Sequence, residues 1–165
     1  MRRLTMISSL VLSTLALSAT AAWAEPTHGE VSFSGTFSAP AGQLCDFAYY
    51  QTFTIDDRFI AFGDPNNPTK SLDHFTEYVT HTNLDTGYTL SEVDHLTVAF
   101  DASNARFKQV GLFFHLRDAA GNLVLVQAGQ ALFDTNTGEL LRVTPNVTPD
   151  FAAVICPALG GQSAI

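Results

Sequence analysis

From His28 onward the chain alternates apolar and polar residues with a period of two, the spacing at which successive side chains fall on opposite faces of a strand. Glu30 to Phe37 sets Val31, Phe33, Gly35 and Phe37 against a side of mostly serine and threonine, which predicts a half-buried strand. Asp46 to Ile55 predicts a second, with Phe47, Tyr49, Gln51, Phe53 and Ile55 on one face, and Phe59 to Phe62 is a short apolar run after Asp56-Asp57. Residues 63–68, with two prolines in four positions, predict a surface loop. His74 to Asn83 places Phe75, Glu77, Val79 and His81 opposite Thr76, Tyr78, Thr80 and Thr82, and neither face is plainly apolar. A turn at residues 83–87 leads to short strands at Tyr88 to Glu92 and His95 to Phe100.

The strongest signal is Arg106 to Asp134, two long strands around the turn at residues 118–122, where Gly121 supplies the left-handed conformation of a bulged hairpin loop. Both faces of this hairpin are largely apolar, as expected where each is covered or where one lines a partly polar cavity. Glu139 to Val143 predicts a last strand. Thr148 as N-cap and Pro149 as first residue start a short helix whose apolar stripe is Phe151, Val154, Ile155 and Leu159. Eight or nine short strands and one small helix predict an all-β fold, a single antiparallel barrel of about eight strands with a short C-terminal helix, and a β-sandwich is the alternative.

The first 24 residues lie outside this pattern. Arg2 and Arg3, the interrupted apolar segment Leu10 to Leu17 and the Ala22-Trp23-Ala24 site read as a cleaved signal peptide. The expectation is a secreted single domain over residues 25–165, with no membrane span after cleavage. Cleavage removes two cations and no acid, so the formal charge moves from −8 to −10. Such a surface disfavours nucleic acid as a partner. Cys45 and Cys156, an even pair in an exported chain, are expected to form a disulfide tying the early part of the domain to its C-terminal end.

Candidate chemistry is sparse. Asp85-Thr86-Gly87 matches the aspartic-protease triplet, but it follows a threonine-rich strand and suits an ordinary turn. His74, His81, His95 and His115 fall on predicted strands or strand ends without metal-ligand spacing, so neither metal nor cofactor is expected. Asn146-Val147-Thr148 is a glycosylation sequon. Glu77 and His81 share one strand face, and Gln109 and His115 another. If those faces point into a lumen, these four polar groups sit among Phe75, Phe107 and Phe113, the makeup of a small-ligand site. A filled core with two satisfied polar residues is the plainer alternative.

The early Cys45-Asp46-Phe47, the turn Thr82 to Gly87, the Asp118 to Asn122 hairpin and the late cysteine in a short helix together resemble small secreted β-barrel proteins of actinobacteria with no assigned activity. More distantly the layout is similar to barrels of the lipocalin and allene oxide cyclase type. The lipocalin G-x-W motif is absent, the single tryptophan being Trp23. The likeness therefore implies a barrel and not a reaction.

Three functions are consistent with these features. The first is a non-catalytic module that binds a small, partly apolar ligand or serves as a surface interaction module. The second is a cyclase or isomerase using Glu77, His81 and His115 for acid–base steps. The third, a structural envelope protein, needs no cavity at all.

Overall fold

The computed structural model describes residues 25–64, 67–148 and 150–164. Seven strands run in chain order: β1 Thr27–Ala39, β2 Tyr49–Asp64, β3 Asn67–Asn83, β4 Thr89–Asp101, β5 Arg106–Asp118, β6 Leu123–Asp134 and β7 Leu140–Val143. A helix, α1 Phe151–Ala158, follows them. Each strand pairs antiparallel with its neighbour in sequence, giving one sheet of order β1-β2-β3-β4-β5-β6-β7. The sheet is not closed, since among the described residues no ladder joins β1 to β7. The strand count is thus corrected from eight or nine to seven, and a single sheet takes the place of the two that a sandwich needs. The segment proposed as a signal peptide lies outside the described residues.

The lower count has a local cause. Asp56-Asp57 does not turn the chain: Asp56 faces Ser32 and Thr76 across unbroken ladders, and Phe59 to Phe62 continues β2. Tyr88 to Glu92 and His95 to Phe100 are likewise the two halves of β4, separated only by a register shift between Glu92 and Leu96. The loop expected at residues 63–68 is shorter than predicted. Pro68 already lies in β3 opposite Gly63, beyond a register shift at the strand end, where its missing N–H does little harm. Residues 65 and 66 lie outside the description.

A second irregularity decides which side chains meet. Leu96 pairs with Gly111 but Glu92 with Leu116, so β5 carries one more residue than β4 over this stretch, a β-bulge. The extra residue changes which positions of β5 face the core. Phe107 and Gln109 share a face with Val98 and Phe100, whereas beyond the bulge Phe114 and Leu116 take that face beside Glu92. Gly111 has φ of 139°, and a Cβ there would collide with the carbonyl oxygen of His95. Gly111→Ala is therefore expected to cost about 2–3 kcal/mol in urea unfolding. Gly121→Ala, left-handed at φ of 83° but with open space around it, should cost about 1 kcal/mol. Equal losses at the two positions would mean that the His95 contact does not matter.

One face of the sheet is the working side. Ser32, Ser34, Thr36, Thr52, Thr54 and Thr80 occupy the other, with a Ser34–Thr54 hydroxyl contact of 2.7 Å across β1 and β2. On the working face the helix covers one end. Its buried residues Ala152, Val154, Ile155 and Cys156 pack on Tyr49, Leu90, Phe114 and Leu116. The helix begins two residues later than expected, capped by Asp150, whose side chain accepts from the Ala153 amide at 3.1 Å; Thr148 precedes this cap, and Pro149 lies outside the described residues.

The expected disulfide is present, joining Cys45 to Cys156 with Cα atoms 5.4 Å apart. Asp46 and Gln162 exchange backbone and side-chain hydrogen bonds beside it, at 2.9 and 2.8 Å. These contacts hold the helix and the tail after it onto the loop before β2. Along the β1 edge the working face is open: Val31, Phe33 and Phe37 are about half exposed. Phe53 there lies over Gly35 and Phe59 over Gly29, each ring filling the space of a missing side chain.

Candidate functional site

Alternation along β3 places Phe75, Glu77, Val79 and His81 on the working face, and the β3–β4 register sets Asp94 opposite Glu77 and Glu92 opposite Val79. β2 contributes Tyr49 and Gln51 alongside, with Gln51 directly opposite His81. The result is a row of polar groups running from the helix-covered end into the middle of the sheet. His81 is completely buried. Its Nδ1 lies 2.7 Å from the Tyr49 hydroxyl and its Nε2 2.7 Å from Glu92 Oε1. The Tyr49 hydroxyl is also 3.2 Å from Gln51 Oε1. Glu92 Oε2 accepts the His115 backbone N–H at 3.4 Å.

Phe151 of the helix closes this group from above, its ring centroid 5.8 Å from His81, 6.1 Å from Tyr49 and 6.2 Å from Phe114. The imidazole therefore has no route to a substrate. Burial raises the Tyr49 hydroxyl well above the usual phenol range, with the Glu92 charge adding to the effect.

Three carboxylic acids continue the row. Asp94 is pushed up to about 8, first by burial, then by the Glu92 charge and by a hydrogen bond to the Glu92 carboxylate, with Glu77 adding less. At neutral pH Asp94 is thus largely a neutral acid, donating to Glu92. Glu77 is raised in the same sense by burial and then by Glu92, and it is only half-buried, so unlike Asp94 it reaches the open face. Farther along, burial and then Asp73 raise Asp57, while His74 pulls it the other way. One carboxyl oxygen each of Asp94 and Asp57 is buried without a hydrogen-bond partner. With its one proton directed to Glu92, Asp94 presents its unpartnered oxygen as an acceptor.

The residues expected to line a lumen divide into two groups. Phe75, Glu77 and His81 share the working face, and so do Phe107 and Gln109, with Phe107 stacked on Phe133 at 4.6 Å. Glu77 and His81 are linked through Glu92 and not directly. Phe113 is the residue left unpaired at a register shift in the β5–β6 ladder and packs against the helix-side core. His115 leaves the group: beyond the bulge it pairs with exposed Val126, and its ring accepts from Arg117 at 3.1 Å.

Tyr49, Glu92 and Asp94 were not among the expected site residues. The sequence does carry a signal for the two acids, because Leu90, Glu92, Asp94 and Leu96 occupy alternate positions with leucine at both ends.

Asp85-Thr86-Gly87 forms a turn, with the Asn83 side chain accepting from the Asp85 and Thr86 amides at 3.0 and 3.3 Å. His74 and His95 face the serine and threonine side, where each contacts one threonine hydroxyl, Thr97 and Thr76 respectively. Among the described residues no three His, Cys, Asp or Glu side chains are grouped to hold a metal ion. No protein-family model, curated protein or solved structure matches the chain.

Proposed function

We propose that the chain is exported with loss of residues 1–24 and that its domain is a non-catalytic binding module for a small, partly apolar molecule. In this reading the open half of the working face is the site, and the sheet forms an incomplete, barrel-type wall beside the ligand. The observation that carries it is the uncovered aromatic face of Phe33, Phe75, Phe107 and Phe133, bordered by the half-buried carboxyl of Glu77, which burial and Glu92 raise. A ligand suited to that surface has an apolar body and a small uncharged polar group within reach of Glu77. Nucleic acid fits neither the chemistry of this face nor the charge of the chain.

A neutral fluorescent probe, N-phenyl-1-naphthylamine, tests the reading. Saturable binding to one site is expected, weakened about tenfold or more in Phe75→Gln at unchanged melting temperature. Unsaturable binding, or equal affinity in the variant, would rule out this face. A second reading, acid–base isomerisation, is favoured by one observation, the raised carboxyl of Glu77 at the open end of the row. It predicts that Glu77→Gln abolishes turnover of a bound carbonyl compound while leaving its affinity within about threefold.

A further inference from the structure

The opposite face of the sheet carries an arrangement that the proposed site does not use. Away from the helix, the ladders align Phe62, Lys70, Asp101 and Arg106 in one row across β2 to β5. The next row contains Ile60, Leu72, Ala99, Lys108, Leu132 and Arg142, across β2 to β7. A cavity of about 480 Å³ opens over these rows. Only six lysines and arginines occur in residues 25–165, and three of them, Lys70, Arg106 and Lys108, line this one cavity in an otherwise strongly acidic chain.

The single acid in the lining does not cancel them. Asp101 Oδ1 accepts from the amide and hydroxyl of Ser103 at 3.0 and 2.6 Å, and its Oδ2 accepts from Asn104 at 2.9 Å, so the carboxylate is turned onto its own short 3-10 turn, Ala102–Asn104. It reaches Lys70 only at 3.5 Å. Arg106 shares the field of Asp134, whose carboxylate is likewise engaged by the backbone amides of Asn136 and Thr137. Among the described residues no carboxylate pairs with the half-buried Lys108 ammonium, which stands between Ala99 and Leu132. An unpaired cation set among apolar side chains attracts an anion that brings its own apolar body.

We propose that the cavity formed by Phe62, Ala99, Leu132, Lys70, Arg106 and Lys108 binds a small amphipathic anion, one carboxylate or phosphate monoester head on an alkyl or aryl body. Lys108 and Arg106 hold the head, and Phe62, Ala99 and Leu132 cover the tail. The volume lies within the range of small-molecule sites. Ala105, next to Arg106, is held left-handed at φ of 50° by its own amide bond to Ala102 and by the Thr135 amide on its carbonyl, which fixes where Arg106 leaves the turn.

Calorimetric titration of the protein with decanoate, decyl phosphate, decanol and acetate tests the site. Decanoate or decyl phosphate should bind at least about tenfold more tightly than decanol, which lacks the charge, and than acetate, which lacks the body. Binding should weaken with added salt. Lys108→Glu should lose at least about tenfold in affinity, and Lys108→Met, which keeps the apolar stem, should lose a similar factor if the glutamate variant fails to fold. Arg117→Glu, a charge reversal outside the cavity, should change nothing. Equal affinity for decanol and decanoate, or an equal loss in Arg117→Glu, would overturn the proposal. So would binding confined to phosphatidylglycerol vesicles with none to monomeric decanoate, which would assign the patch to a membrane surface.

Discussion

Asp94→Asn should make the protein more stable at pH 8 and remove most of the loss of stability that the native chain shows between pH 5 and pH 8. The unfolded carboxyl titrates near 3.8 and the folded one near 8. Between those values the native state keeps a proton that the unfolded state has released. Stability therefore falls as pH rises across that window and levels off above it. Glu77 and Asp57, raised in the same direction, add smaller slopes of the same sign.

Asparagine keeps a neutral donor toward Glu92 and has no proton to lose. The gain at pH 8 is on the order of 3–5 kcal/mol, and near pH 5 the variant and the native chain should differ little. Urea midpoints measured at both pH values decide it. If the variant retains the native slope, the proton resides elsewhere in the row.

Replacing both cysteines by alanine should have an effect of similar size through a different cause. The bridge spans 111 residues. By the chain-entropy model a loop of that length contributes about 4–5 kcal/mol, an upper figure because it ignores residual order in the unfolded chain. For a domain of this size that corresponds to a fall in melting temperature of about 10–20 °C. The helix should loosen first, since its contacts lie at the bridged end of the sheet, and the near-ultraviolet signal of Tyr49 should be lost with it. A melting temperature within about 3 °C of the native value would show that packing of Ile155 and Leu159 holds the helix without the bridge.

These two sites differ in how plainly the sequence announces them. Two cysteines in a chain with an export-like leader leave one simple pairing, and the Asp118 to Asn122 turn carries its own geometry in Gly121, so the disulfide and the β5–β6 hairpin were both legible. The face of β3 holding Phe75, Glu77 and His81 was legible for the same reason: period-two alternation survives wherever the ladder is regular.

It failed at the irregularities. Asp56-Asp57 and Val93-Asp94 fall between the predicted strands because they break the apolar pattern, yet neighbouring strands hold both pairs extended. The bulge after Gly111 removed His115 from the face that Gln109 occupies, and Gly111 at its start lies too close to the His95 carbonyl oxygen of a different strand for any side chain. A local pattern holds no record of such a contact. Glu92 and Asp94 were missed because the cost of burying an acid is met by His81 and by each other, partners that alternation along one strand does not reveal.

The neighbour-to-neighbour order of the strands also bears on how the chain reaches this structure. Each strand finds its first partner in the segment immediately before it. Whatever the route of the chain, the sheet can zip together hairpin by hairpin from its N-terminal strand onward, with no strand waiting for a distant one. The C-terminal segment is the exception: Cys45 and Asp46 have no mates until Cys156 and Gln162 arrive. Oxidation then records that assembly has finished.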